Sequence, residues 1–533
     1  MPRATPAATL LFLAGMLVPG ALHAQGENAL PMPSGSFRVS IGADWAHYTN
    51  RFGTASPAHP GQPDGTVEPI GVDFGSDSLG AQQLTFLVPV QNQLRALTGL
   101  PGYAIDIGNT RLVLDASVRH QPIRIAWAPS SRLAFQVMVP IVRSRMSAFL
   151  GLPQDTSTSA HGNVGAITPT AFDPFRLSVD SALRALRSGA STGPTGQLQA
   201  KAESALTRLS PLLCGLSNLA SQTTDPNSPC FGGPAPAPFL PLGTSVAGES
   251  ISVQLGRAQL SYDSVRLAYQ SANVTIPTLS LASAYALPTA PLDSTALRAL
   301  LINSGGIGGD SLSEVVRTGI GDIEVGGWYQ LANSPSWRSQ VALTVRLPTG
   351  KMDDPNNLID IGTGDHQLDV EVGFRNDFIL NKNLWVHAGG RYAVQMSDNL
   401  DRRVAPWYAP YAPDSSLANV NRKLGDYYAI DLVPNWQLDD ALNFGLGWHY
   451  FHQAASTFSY ANPADAIRIG LPASDLGLAT SETYMRIGAG LTFSTLERFE
   501  QHRARLPYRV TWSYNSTIWG RGGQTPKSGV MII

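Results

Sequence analysis

Charged side chains recur at every second position in several segments of the second half of the chain. Arg346, Asp369, Glu371, Arg375, Asp377, His387, Arg391 and Asp431 fall on the polar phase of one alternating pattern. Guanidinium, imidazole and carboxylate groups gathered on one face line a polar conduit or cross-link its walls through charge-assisted hydrogen bonds. Such a network is expected of any lined lumen and singles out no member as a solute ligand. A second constellation is GGDSLSE (308–314), where Ser311 sits in Gly-Asp-Ser-Leu, a setting for the nucleophile of a lipid hydrolase. That chemistry needs a histidine held by a carboxylate. The Asp-x-x-His spacing occurs at Asp44 and His47, upstream of the serine and on opposite faces of a strand, so a loop turn is the better reading. A third is DDPNNLIDIGTGD (353–365), whose Asp353, Asp354, Asn356, Asn357, Asp360 and Asp365 are hard oxygen donors suited to Ca2+. Their spacing lacks the regularity of a calcium loop, and a solvated loop is expected, with no metal and no cofactor.

The elements that position these groups have period two. In FRVSIGADW, Phe37, Val39, Ile41, Ala43 and Trp45 share one face. A second segment, 111–127, carries Leu112, Leu114, Ala116 and Val118, then changes phase to Ile123, Ile125 and Trp127 after His-Gln-Pro. A slip at proline is what a β-bulge or kink produces. A third has Leu133, Phe135, Val137, Val139 and Ile141 in phase and holds Pro140, a candidate kink. Further strands are read near 320–331, 338–348, 367–380, 384–395, 426–438, 442–453, 481–494 and 507–519. Most approach the ~10 residues with which a tilted strand crosses a bilayer.

Short links at 128–131, 332–337, 381–383 and 438–441 alternate with long ones at 53–105, 150–312, 349–365, 396–425 and 454–480. This sorting sends the long loops to one side, as in outer-membrane barrels. An apolar outer face also satisfies the backbone in lipid when the sheet closes on itself. The expected architecture is an all-β antiparallel transmembrane barrel of about 12–14 strands with helical external loops. Helices are read at 84–98, in FRLSVDSALRALRSG, in QLQAKAESALTRLSPLLCG and in LDSTALRALLINSGG, the last capped by Asp293 or Ser294 and stopped by Gly305. They form either a lid over an apolar cleft or a cluster that packs on itself. Roughly eleven strands and a stub, QTPKSGVMII, are readable. The odd count leaves either a further strand hidden in 250–285 or a truncated last one.

The N-terminus, MPRATPAATLLFLAGMLVPGALHAQ, has a basic start, an apolar core from Leu10 to Leu22 and a small residue at Ala24. It reads as a secretory signal peptide over 1–24, followed by the barrel over 25–533 with a helical external insertion at about 151–311. No later run approaches the ~18 apolar residues of a transmembrane helix, which excludes helical inner-membrane transport. Charged residues are 14% of the chain, glycine is abundant and the net charge is −2, without the basic footprint of a nucleic-acid partner. Cys214 and Cys230 lie close together in an exported chain, and a disulfide between them is expected to stabilise the local fold by about 3 kcal/mol.

GIGDIEVGGWYQL (319–331), VALTVRLPTG (341–350) and IGTGDHQLDV (361–370) resemble the outer-membrane family named for the meta pathway of phenol degradation. PIRIAWAPSSRLAFQVMVPIV (122–142) is similar to paired strands of that family and of the related long-chain fatty-acid transporters. The resemblance covers roughly 105–150 and 315–495 and rests mostly on turn motifs. It implies a barrel that passes hydrophobic or aromatic compounds through the bacterial outer membrane. It also implies that a kink at Pro140 opens the wall laterally, against the plainer reading of a bulge near the rim. Fatty-acid transporters of this type begin with a plugging hatch. Here only about ten residues separate the expected cleavage site from the first strand, so any plug is expected from the loop helices. The terminal aromatic that the barrel-assembly machinery reads in such proteins is replaced by Ile533. The expected function is passive uptake of small hydrophobic or aromatic compounds by a non-enzymatic protein in contact with outer-membrane lipid. A general diffusion porin or a non-transporting structural barrel is the alternative.

Overall fold

The computed structural model describes residues 29, 31–54, 63–84, 87–151, 162–166, 173–188, 194–209, 217–222, 234–236, 239–281, 287–302, 314–405, 411–522 and 525–533. The signal peptide, both cysteines and Ser311 lie outside the described residues.

One continuous antiparallel sheet of fourteen pieces closes on itself. Two strands are each interrupted once, so the fourteen pieces are twelve strands. They are β1 (Phe37–Ile41 and Asp44–Tyr48), β2 (Arg111–Trp127), β3 (Leu133–Gly151), β4 (Val315–Ile320 and Glu324–Asn333), β5 (Trp337–Arg346) and β6 (Asp369–Asn381). The circuit continues through β7 (Leu384–Gln395), β8 (Tyr427–Gln437), β9 (Leu442–Gln453), β10 (Glu482–Ser494), β11 (Arg509–Arg521) and β12 (Gly529–Ile532). Each pairs with its sequence neighbour, and β12 pairs with both β11 and β1 (Ser513 and Asp44 both oppose Ile532). The terminal stub is therefore the closing strand. No further strand occurs among the described residues of 250–285: Val246–Ser271 is a helix, because Ile251, Leu255, Ala258, Tyr262, Val265 and Tyr269 recur at helical spacing and are all buried.

The lower wall carries the apolar face outward. Leu343, Val372 and Phe374 are exposed there in register across β5 and β6. Phe37, Trp127 and Phe135 stack at 6.3 and 6.4 Å along one rim of this band. Tyr428, Tyr450 and Trp448 lie against one another at 6.0 and 6.3 Å along the other. An apolar band between two aromatic girdles is the dress of a barrel in lipid. No described helix is long and apolar enough to cross a membrane.

The phase change in 111–127 has a different cause from the bulge expected there. The β2–β3 register runs unbroken from Arg111 opposite Gly151 to Trp127 opposite Phe135. Side chains keep alternating, and what changes is the environment on each side. In the lower half the outside is lipid, so Ile125, Trp127, Phe135 and Val137 point out. In the upper half the sheet rises past the bilayer, so Arg119, Arg143 and Arg145 point out and Leu112, Leu114, Ala116, Met146 and Leu150 are buried inside.

That inner face joins the core of an external cap. α1 (Val88–Thr98) contributes Val90 and Leu94 and ends at Gly99, whose φ of 68° suits a left-handed cap. α2 (Asp173–Ser188), α3 (Pro194–Thr207), α4 (Val246–Ser271) and α5 (Ser294–Ile302) add Phe175, Leu206, Tyr262 and Leu297 to the same cluster. The Asp293 carboxylate accepts from the Ala296 amide at 2.7 Å and caps α5. These helices pack on one another and on the raised wall. The long loops also carry a small sheet, Ser397–Arg403, Leu417–Lys423 and Thr457–Tyr460, where the sequence predicts only loop. On the opposite end the link between β10 and β11 is longer than the other turns and holds the short helix Leu496–Glu500.

Candidate functional site: the barrel interior

Antiparallel pairing puts the inward side chains of β4 to β11 into rows across the wall. In one row Glu324, Arg346, Asp369 and Gln395 are successive register partners. Arg346 bonds Asp369 at 2.7 Å and Glu324 at 3.3 Å, and the Gln395 amide donates to the same Asp369 oxygen at 3.3 Å. In the next row Glu371 accepts from the Tyr427 hydroxyl at 2.6 Å across the intervening strand β7, because Ala393 between them is small.

A third row runs Gly373, Arg391, Ala429, Phe451 and Tyr484. Phe451 stacks on Tyr484 at 4.9 Å and approaches Tyr427 at 5.4 Å, which gives the interior an aromatic wall backed by Ala393 and Ala429. Arg486 lies over the Tyr484 ring at 4.5 Å. The Arg391 Nε is buried without a hydrogen-bond partner among the described residues. A fourth row holds Arg375, Gly389, Asp431, His449 and Arg486, with His449 bonded to Asp431 at 2.6 Å. Below it His387 bonds Asp377 at 2.7 Å, both almost fully buried.

The eight residues singled out from sequence thus lie within one set of rows. Most of the charge is spent on partners that the sequence reading missed: Glu324, Gln395, Tyr427 and His449. Tyr427, Phe451 and Tyr484 escaped notice because an aromatic in an alternating strand is assigned to the lipid face by default. Their parity with Asp431, His449 and Arg486, each on the same strand as one of them, was the available signal.

The expectation about the plug needs correction. The short stretch ahead of β1 enters the barrel itself: the Ala29 amide donates to Asp377 at 2.9 Å and its carbonyl accepts from Gln330. Met32 is buried among Ala126, Ala134, Trp328 and Ala342. The loop helices are not the sole source of material across the lumen.

Pro140 stands directly opposite Pro122. The Gly42 amide donates to the Pro122 carbonyl at 3.0 Å and the Gly321 amide to the Pro140 carbonyl at 2.9 Å. Both strand interruptions, in β1 and β4, fall beside this proline pair. Prolines supply no N–H, so the ladder is thinnest along this line.

The turn motifs meet at the β4 interruption. Asp322 accepts from the Gly350 amide at 2.8 Å and from the Asp365 amide at 2.9 Å. Thr349 donates to the Gly321 carbonyl and Thr363 to the Ile320 carbonyl. A Cβ on Gly364 would meet the Asp322 carboxylate at 2.3 Å, so glycine is required there. The motifs form a latch between β4 and the loop after β5.

The remaining constellations find other employment. Asp353 takes both Nη groups of Arg402, at 2.5 and 2.8 Å, and Asp360 takes Arg317 at 2.6 Å. Asp354 and Asn357 accept from backbone amides of their own loop. No group of three or more metal-ligating side chains occurs among the described residues. Asp44 bonds His120 and His47 bonds Asp115, so the Asp-x-x-His pair is split between different partners.

Residues 242–502 match the model of the family described as putative MetA-pathway of phenol degradation. Among solved structures, the chain is similar to an outer membrane channel from Pseudomonas putida F1 at 8% identity and a TM-score of 0.37, over 97% of each chain. It is also similar to the Ralstonia pickettii toluene transporter TbuX at 11% identity and a TM-score of 0.28, over 95% of this chain and 91% of that one. A Pseudomonas aeruginosa FadL homologue aligns at 7% identity and a TM-score of 0.27, over 99% and 98%. No curated protein matches. The matched stretch contains the Gly-Asp, Leu-Pro-Thr-Gly and Gly-Thr-Gly motifs of the latch, and over it the chain is similar to the family of the putative MetA-pathway of phenol degradation.

Proposed function

We propose that the protein is a passive outer-membrane conduit for small hydrophobic or aromatic compounds and carries out no chemistry on them. The observation that carries this reading is the interior aromatic wall, Tyr427, Phe451 and Tyr484, set among charged groups held by hydrogen-bonded partners. Charges already paired have little left for hydrated ions, whereas a cluster of aromatic rings among them is chemically matched to an aromatic solute. Arg346, Asp369, Glu371, Arg375, Asp377, His387, Arg391 and Asp431 line the path and hold its walls apart. The Pro122–Pro140 line is the place where a solute leaves sideways into the bilayer. The solved structures named above include one described as a toluene transporter, which agrees with this solute class. Outer-membrane lipid and the barrel-assembly machinery are the remaining partners.

The test is conductance of the refolded protein in a planar bilayer, paired with accumulation of a labelled monoaromatic hydrocarbon by cells with and without it. A nearly silent barrel that speeds accumulation is the expected result, unchanged in Ser311→Ala. Steady ohmic steps in plain salt without faster accumulation would replace this reading with a diffusion pore.

A further inference from the structure

Arg119 and Arg143 are direct register partners on β2 and β3, both exposed on the outer surface of the wall. Like charges directly opposite each other on a sheet face repel and destabilise the pair. Neither makes an ion pair or hydrogen bond among the described residues. The nearby carboxylates make their direct bonds elsewhere: Glu314 holds Arg145 at 2.8 Å and feels Arg143 only through space, and Asp115, four residues farther along β2, bonds His47 at 3.1 Å. Arg145 follows on the same face two residues above Arg143. Hydroxyls flank the cluster, since Thr318 opposes Arg143 and Ser117 opposes Arg145.

The height of this cluster identifies what it meets. Along β3 the outward side chains are Phe135, Val137, Val139 and Ile141, and the next one up is Arg143. On β2 they are Trp127, Ile125 and Ile123, then Gln121 and Arg119. Eight residues separate Phe135 of the lower girdle from Arg143, about 26 Å along a strand, or ~19 Å of height at a tilt of ~45°. The same eight-residue span separates Trp436 from Tyr428 of the upper girdle on β8, so the arginines stand level with that girdle, where the outer leaflet changes from acyl chain to headgroup, on the side of the long loops. Trp45, half exposed and opposite Arg119, marks the same boundary.

We propose that Arg119 and Arg143, with Arg145 beside them, form a docking site for the phosphate groups of lipid A in the outer leaflet. A phosphate between the opposed guanidinium groups turns their repulsion into two charge-assisted contacts, and the acyl chains of the same molecule lie on the apolar wall below. The site is independent of what the lumen carries and needs only that the barrel stand in the outer membrane with its loops outward.

The experiment uses full-length protein refolded in detergent free of lipopolysaccharide, with binding read by native mass spectrometry. The probes are bisphosphorylated lipid A, its dephosphorylated form and inorganic phosphate. The wild-type protein is expected to hold the bisphosphorylated lipid at least about tenfold more tightly than the dephosphorylated one. The double variant R119Q/R143Q is expected to lose that preference while keeping the heat-modifiable mobility of a folded barrel. Equal affinity of the wild-type protein for the two lipids overturns the proposal whatever the variant does. So does a folded double variant that keeps the preference. Displacement of the lipid by millimolar inorganic phosphate would mean a site for the free ion and would equally overturn it.

Discussion

Arg402 and Asp353 show how single side chains hold the external cap. Their two-pronged contact is almost fully buried, with side-chain exposures of 3% and 6%. It ties the loop after β5 to the first strand of the external sheet. Removing one member of a buried pair strands the other charge without compensation. Arg402→Ala is expected to weaken docking of the loop by about 3–5 kcal/mol. The check is hydrogen exchange over residues 349–368, which should accelerate in the variant. A double variant Arg402→Ala, Asp353→Ala should lose less than twice that amount, because no charge is then left buried alone. The oxygen-rich loop was legible in the sequence as a charge cluster. Its arginine partner, 49 residues away, was not.

Strands and turns obey local rules, and most of their positions follow from the pattern of residues. The turn between β8 and β9 is an example. Asp439 accepts from the Ala441 and Leu442 amides at 2.6 and 2.8 Å. These two donors hold its exposed carboxyl below the ordinary carboxylate range. A depressed folded pKa stabilises the turn above the unfolded value, about 4, and that contribution disappears as the pH falls through the lowered folded pKa. The Asp439 carboxyl, followed by NMR, is expected to titrate below the range of exposed aspartates, and Asp439→Asn should remove the pH dependence of the turn amides. The phase change in β2 shows where local rules stop. Alternation revealed a strand and a switch of apolar face. It did not say that the cause was a change from lipid outside to protein inside, because that depends on how far the strand rises above the bilayer and what packs there.

For the molecule as a whole, closure is the decisive event. β12 is only Gly529–Ile532, yet it supplies hydrogen-bond partners to both β11 and β1. Without it two strand edges face lipid with unpaired amides and carbonyls, at several kcal/mol for each unsatisfied group. Deletion of 529–533 is therefore expected to abolish the folded barrel, seen as loss of the heat-modifiable band in electrophoresis and of the β-sheet dichroism signal. Survival of a compact, protease-resistant species would mean that β1 and β11 can pair directly.

Alternating apolar residues, the sorting of short and long links and the charged positions between them were sufficient to derive a membrane barrel and to name most of its inner face. Each of these features is local, and the bilayer imposes the same period on every strand that crosses it. The entry of Ala29 into the lumen and the assembly of Tyr427, Phe451 and Tyr484 into one wall were out of reach. They depend on contacts between residues tens to hundreds of positions apart. Strand register and chain closure bring such residues together, and no short window of sequence records them.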